Sequence, residues 1–306
     1  MSSRIVSVFG ATGDQGSGVI DLLLQDGTFV PRAFTRDANS AASKELKARG
    51  VEVVQVDTLD KSQLVAALRG SEAAFVVTTP IFVVDVEGTD EITQGKNIIN
   101  AAKEAGVQFL IISSLPSLNR ISGGKYTNII QYDDKETIRE YLASSGVKHA
   151  SLLLPAFLEN CWKFGQLKKT DDGHGYLLSL PRYKADQLQA FVWVQRDVAA
   201  AVLALLKNYQ DPTKEIDGKT YPVVNGRMTY SELAEMISKV LNAKVTFTTG
   251  PSSGLAELDD MWSALAENSG LYLDTPVPNP ELVALGAKIS TIEEFLETEI
   301  KARYGR

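Results

Sequence analysis

The chain has 306 residues and a formal net charge of −7 at pH 7. Its length allows about two domains, and its negative charge without long basic runs argues against a nucleic-acid-binding surface. No apolar run reaches the roughly 18 residues of a membrane span, and the N-terminus does not resemble a signal peptide. The single cysteine, Cys161, suits a reducing compartment. We therefore expect a protein of the cytoplasm, with the nucleus as a second option.

The first predicted elements are a strand over residues 4–9, a glycine loop and a helix. Gly10, Gly13 and Gly16 form the spacing G-x-x-G-x-x-G, which lets the backbone turn tightly and approach a pyrophosphate. The N-terminus of the following helix favours an anion. Three glycines also occur in turns that bind nothing, but the flanking apolar strand and helix favour a dinucleotide site.

A second strand is predicted over residues 29–35, after a helix that ends at Gly27. The end of this strand is where a dinucleotide-binding sheet reads the adenosine ribose. The first charged residue there is Arg36, which suits the 2′-phosphate of NADP rather than the 2′-hydroxyl of NAD. Because Asp37 follows directly, a solvated surface arginine is the alternative.

Helices and strands continue to alternate through the first half of the chain. This rhythm predicts an α/β fold, a Rossmann-type doubly wound parallel sheet whose ligand lies beyond the carboxyl ends of the strands. The predicted helices are 43–50, 59–68 and 91–105, and the predicted strands are 51–56, 72–78, 107–113 and 147–154. The residues that fall at the carboxyl edge by register are Gly10, Arg36, Asp57, Thr78 and Ser113.

Lys135 lies near the start of a helix that runs to residues 144–146. It could bind the nicotinamide ribose and lower the pKa of a neighbouring acid, or it could be an exposed residue of the first turn. Asp133 and Glu136 have the spacing of a capping box, which would explain these two acidic residues structurally.

The second half of the chain loses the regular alternation. We expect residues 1–154 to form the cofactor-binding domain and residues 155–306 a smaller α+β lobe for a substrate or partner, with some segments returning to the first sheet. Its predicted strands are 176–180, 190–194, 219–224 and 245–248, and its predicted helices are 197–206, 229–241, 254–267 and 291–304. No metal site is expected, because His149 and His174 lack ligand spacing with other residues.

Several motifs together resemble the NmrA-like family of atypical short-chain dehydrogenase/reductases, over nearly the whole chain. The closest similarity is to the branch of NADPH redox sensors, so the resemblance implies that the cofactor is NADP(H). The motifs are Val8 to Gly16, Thr35-Arg36, Lys135 after Tyr-Asp-Asp, Leu154-Pro155-Ala156-Phe157-Leu158-Glu159-Asn160 and Tyr176 to Pro181.

The resemblance also implies a role for each residue of the cofactor site. The pyrophosphate is assigned to Gly10, Ala11, Thr12, Gly13, Asp14, Gln15 and Gly16, and the 2′-phosphate to Arg36. The adenine is assigned to Asp57 and Thr58, the ribose side to Thr78 and Thr79, and the nicotinamide end to Lys135, Phe157, Leu158, Glu159 and Asn160.

Two departures from the family pattern leave the activity open. The superfamily motif is Tyr-x-x-x-Lys, but Gln131 stands four residues before Lys135 and Tyr132 stands three before it. Tyr132 approaches the nicotinamide only if the helix already includes it. Ser40 occupies a position where sensor members carry another cation, which leaves Arg36 to discriminate largely alone.

Two functions follow. One is an NADP(H) sensor that regulates a protein partner, and the other is an NADPH-dependent reductase of a carbonyl, quinone or activated alkene, with Lys135 and Tyr132 as candidate catalytic residues. A homodimer is an option in either case.

Overall fold

The computed structural model describes residues 4–80, 90–268 and 271–305. Its strands are β1 (Ile5–Val8), β2 (Val30–Thr35), β3 (Glu52–Gln55), β4 (Ser71–Val76), β5 (Phe109–Ser114), β6 (His149–Leu153), β7 (Ala156–Phe157), β8 (Leu167–Lys169), β9 (Gly175–Pro181), β10 (Leu188–Val192), β11 (Lys219–Pro222), β12 (Gly226–Thr229) and β13 (Lys244–Gly250).

The α-helices are α1 (Asp14–Asp26), α2 (Ala41–Ala48), α3 (Lys61–Leu68), α4 (Glu91–Ala105), α5 (Leu118–Ile121), α6 (Ile130–Ser144), α7 (Asn160–Lys163), α8 (Ala199–Asn208), α9 (Tyr230–Leu241), α10 (Ala256–Glu267), α11 (Pro280–Ala284), α12 (Ile292–Phe295) and α13 (Lys301–Tyr304). One π-helical turn, Val194–Val198, precedes α8, and another, Leu296–Ile300, joins α12 to α13. A 3₁₀ turn lies at Pro212–Lys214.

The main sheet has seven strands in the order β11-β6-β5-β4-β1-β2-β3. Every neighbouring pair in it is parallel. Successive side chains of β5 pack on opposite faces: Phe109 and Ile111 lie in one hydrophobic core, and Leu110 and Ile112 in another. The predicted doubly wound parallel sheet is therefore confirmed.

Helices cover both faces of this sheet, which is why its strands are apolar on both sides. One face packs against α1 and α8. The other packs against α3, α4 and α6. The predicted bounds of α4 are confirmed at both ends, because the Asp90 side chain accepts a hydrogen bond from the Thr93 amide and Gly106 ends the helix with a φ of 79°.

The second half of the chain adds a smaller lobe and also returns to the main sheet. β11 pairs with β6 at the sheet edge, and α8 packs on α1. The lobe contains two three-stranded sheets, with the orders β12-β10-β7 and β13-β9-β8. A separate core fills it, formed by aromatic and aliphatic residues such as Phe191, Tyr230 and Phe295.

None of the described helices is both long enough and apolar enough to span a membrane. The short elements α5, α7, β7, β8, β12 and α11 were not predicted from the sequence, because segments of two to five residues show too little periodicity.

Candidate functional site

A cavity of about 440 Å³ opens at the carboxyl edge of the main sheet. The ends of β1, β2 and β4 and the start of α1 surround it, which is where parallel sheets of this kind hold their ligands. Its lining residues are Phe9, Gly10, Thr12, Gly13, Asp14, Gln15, Phe34, Thr35, Arg36, Asp37, Ser40, Val56, Thr58, Val77, Thr79, Gln94 and Phe157.

The glycine loop forms one wall of this cavity. Gly10 has a φ of +63°, a left-handed conformation that favours glycine. A Cβ atom at position 16 would lie 2.6 Å from the carbonyl carbon of Gly10 and 2.8 Å from the Cα of Ala11. The loop and the first turn of α1 therefore pack so closely that only hydrogen fits at this position.

The N-terminus of α1 faces the cavity without a side-chain cap. Gly13 is the N-cap residue, and no side chain of the described residues accepts a hydrogen bond from the first turn. Asp14 lies in this turn, and its carboxylate forms a 2.9 Å ion pair with Lys163 of α7. The free amides and the helix dipole leave the turn suited to an anion.

Arg36 lies at the cavity mouth with its guanidinium exposed to solvent. It forms no hydrogen bond or ion pair with any residue that the structure describes. The Asp37 carboxylate accepts a hydrogen bond from the Asn39 amide at 2.8 Å instead of pairing with Arg36. Ser40 lines the same cavity, but its hydroxyl caps α2 by accepting from the Ser43 amide.

An apolar section of the cavity lies beside these polar groups. The rings of Phe9 and Phe34 meet edge to face with centroids 4.9 Å apart. Thr58 and Thr79 both line the cavity. Asp57 does not line it; its carboxylate accepts a hydrogen bond from the Leu59 amide at 2.9 Å.

Lys135 lies next to the end of β4 in a buried polar network. Its ammonium donates to the Thr78 hydroxyl at 3.0 Å and to the Thr78 carbonyl at 3.2 Å, and forms an ion pair with Glu91 of α4. The Lys135 side chain is 11% exposed and that of Glu91 is 0% exposed. Lys135 is thus not an exposed first-turn residue, which was the alternative left open by the sequence.

Helix α6 begins at Ile130, so the capping box proposed for Asp133 and Glu136 is wrong. The helix already includes Asp133, which accepts a hydrogen bond from the Ser117 hydroxyl at 2.6 Å. Glu136 pairs instead with Arg120 and Arg139. The sequence left the start of this helix open, and no side chain of the described chain caps it.

Tyr132 also belongs to α6, but its ring packs in a hydrophobic cluster with residues such as Leu118, Ile129 and Ala264. Burial raises the pKa of Tyr132. Next to Lys135, burial and the carboxylates of Glu91 and Asp90 raise the pKa of Asp134 to about 6.

The segment after β6 contributes one of its four predicted residues to the cavity. Phe157 lines it, whereas Leu158 is buried in the core of the smaller lobe. Both carboxylate oxygens of Glu159 accept hydrogen bonds from the amides of residues 194 and 195. Burial raises the pKa of Glu159 to about 7. Asn160 is the first residue of α7.

Several residues of the site were not predicted from the sequence, among them Phe9 and Phe34, which line the cavity. Glu91 reads as an ordinary acidic residue in the first turn of a helix, and only the fold brings it to Lys135. Gln94 lines the cavity and donates to the Thr79 carbonyl at 3.2 Å. Lys163 approaches the glycine loop through Asp14. Glu91, Gln94 and Lys163 have no local sequence signal.

Comparison with known proteins gives a consistent result. The family model described as "NmrA-like family" matches residues 1–299. An NmrA-like family domain-containing oxidoreductase of Aspergillus flavus, lnbB, is 32% identical over 307 residues, covering 94% of this chain and 90% of the relative.

Two solved structures illustrate the shared fold. NmrA, described as a negative transcriptional regulator in complex with NADP, superposes with a TM-score of 0.79 at 18% identity, covering 99% of this chain and 97% of that one. The NADPH-dependent quinone oxidoreductase of Escherichia coli, solved with NADPH, gives a TM-score of 0.70 at 24% identity, covering 95% and 98%.

Proposed function

Because the chain belongs to the NmrA-like family, we propose that it binds NADP(H) in the glycine-loop cavity and acts as an NADPH-dependent reductase. The observation that carries cofactor binding is the tight glycine loop, in which Gly10 has a φ of +63° and a Cβ atom at Gly16 would lie 2.6 Å from the carbonyl carbon of Gly10. The uncapped N-terminus of α1 supports it, because free amides there suit a pyrophosphate.

Further features of the cavity fit other parts of the dinucleotide. The Gln15 side-chain oxygen is buried and has no partner among the described residues, so it is available to a hydroxyl or amide donor of the ligand. The exposed Arg36 guanidinium suits a 2′-phosphate, and the cavity wall formed by Phe9 and Phe34 suits the adenine ring.

Reduction is supported by the names of the curated relatives, which are oxidoreductases. When bound, NADPH supplies a hydride to a carbonyl, quinone or activated alkene. In this proposal Lys135 holds the nicotinamide ribose, and the positive charge of its ammonium would stabilise an oxygen anion that develops on the substrate. Thr78 and Glu91 keep the ammonium at this edge of the sheet.

The second candidate is a sensor in which cofactor occupancy changes an interface with a regulatory protein. The position of Tyr132 favours it, because the hydroxyl that serves as the proton donor in related enzymes belongs here to a ring packed in a hydrophobic cluster. Such a sensor would respond through the cofactor and not through a thiol. Burial raises the pKa of Cys161, the only cysteine, to about 12, which leaves it unreactive.

Steady-state NADPH oxidation with a panel of quinones, enones and aldehydes tests the reductase directly. The proposal expects at least one class to be reduced faster than NADPH oxidises without protein. If tight NADPH binding is measured and no substrate of the panel is reduced, the sensor is the better account. A cytoplasmic or nuclear location and a homodimer stay predictions.

A further inference from the structure

The Lys135 ammonium has no hydrogen left for a ligand in this structure. An ammonium carries three N–H donors, and its three acceptors are the Thr78 hydroxyl, the Thr78 carbonyl and the Glu91 carboxylate. Of the two contacts with Thr78, the one with the carbonyl is the longer, at 3.2 Å against 3.0 Å for the hydroxyl. A ribose hydroxyl that binds Lys135 therefore has to replace one of these acceptors.

Glu91 is the group that would keep the lysine in place during this exchange. Its Oε1 accepts from Lys135 and also from the Thr78 hydroxyl at 2.5 Å. Its Oε2 is buried without a partner in the described chain, so among the described residues these two donors hold the carboxylate. A fully buried carboxylate is stable only when it is paired, which ties the positions of Glu91 and Lys135 to each other.

The other described carboxylates near Lys135 do not bind its ammonium. Asp90 accepts hydrogen bonds from Thr93 at the start of α4. Asp133 accepts from Ser117. Asp134 forms no hydrogen bond or ion pair with the described residues. Among the described residues, Glu91 is thus the acidic side chain in direct contact with the ammonium.

We infer that Glu91 is a positioning residue for the nicotinamide end: it anchors Lys135 while the Thr78 carbonyl contact is exchanged for a ribose hydroxyl of NADP(H). The inference rests on the proposed function, because it requires that Lys135 bind the cofactor. Glu91 itself acts through Lys135 and touches no part of the ligand.

The test is calorimetric titration with two ligands that differ at one end. NADPH reaches Lys135, whereas adenosine 2′,5′-bisphosphate lacks the nicotinamide half and occupies only the loop and Arg36. Glu91→Gln removes the charge at constant shape, so we expect NADPH affinity to fall roughly tenfold and the affinity for the bisphosphate to stay unchanged. Glu136→Gln is the matched control, because Glu136 is also a buried carboxylate but pairs with Arg120 and Arg139.

A Lys135→Met background separates positioning from general damage. If Glu91 acts through the lysine, adding Glu91→Gln to Lys135→Met causes no further loss of NADPH affinity. Glu91→Asp is the substitute variant if Glu91→Gln does not fold, because it retains the charge. Its side chain is shorter by one methylene, so it should still lower the affinity for NADPH and leave the affinity for the bisphosphate unchanged.

Three results would overturn the inference: Glu91→Gln and Glu91→Asp binding NADPH like the unmutated protein, both ligands weakened equally, or the full loss persisting in the Lys135→Met background. If the unmutated protein binds neither ligand, the proposed function itself fails.

Discussion

Replacing Gly16 by alanine tests whether the glycine loop holds a ligand or is only a turn. The new Cβ would lie 2.6 Å from the carbonyl carbon of Gly10, whereas unstrained carbons stay about 3.5 Å apart. The loop must then move by roughly 0.9 Å. Overpacking of this kind costs about 1–3 kcal/mol, and the better helix propensity of alanine offsets roughly 1 kcal/mol of it.

Gly18→Ala is a matched control on the same helix. Its Cβ would lie 2.8 Å from the carbonyl carbon of Gln195, so it strains the contact between α1 and the turn before α8 rather than the loop. Both variants should lower Tm by a few degrees, at about 2–4 °C per kcal/mol. Only Gly16→Ala should weaken adenosine 2′,5′-bisphosphate binding, by about tenfold or more, in calorimetric titration. Equal affinities of the two variants for this ligand would refute the assignment of the loop to the pyrophosphate.

The remaining predictions concern charged groups around the cavity. Arg36→Ala should abolish a preference for NADPH over NADH of about ten- to a hundredfold, measured by calorimetry; an unchanged preference would remove Arg36 from the 2′-phosphate site. Lys135→Ala should weaken NADPH binding in either candidate function, whereas Tyr132→Phe should lower kcat only if the tyrosine is the proton donor. Because the pKa of Asp134 is raised to about 6, its contribution to stability is fully present below about pH 4 and lost as pH rises through about 6. Asp134→Asn should therefore raise Tm at pH 7.5 but not at pH 4, and an equal gain at both values would contradict the shift.

The sheet and the glycine loop were predictable because their signals are local. The run before Gly10 is apolar on both strand faces, and glycine is required where φ is +63°. Register also predicted Arg36 at this edge, and the resemblance to the NmrA-like family implied Thr58 and Thr79; all three line the cavity. Asp57, Thr78 and Ser113, which register predicted as well, are not among its lining residues.

The network at Lys135 was not predictable in the same way. Glu91 and Thr78 lie 44 and 57 positions from Lys135 in the sequence, and nothing in the pattern tells which way their side chains point. The start of α6 stayed open for a different reason: Ile129 is the N-cap residue, so no polar side chain marks the boundary. Glu159 faces backbone amides of residues 194 and 195, a contact that depends on how the smaller lobe packs.

The most direct measurement of the central claim is calorimetric titration of the unmutated protein with NADPH. The account predicts saturable binding at one site per chain, with NADH binding at least about tenfold more weakly. Absence of binding by both dinucleotides would contradict it, because the uncapped helix, the glycine cradle and the free guanidinium would then have no shared ligand.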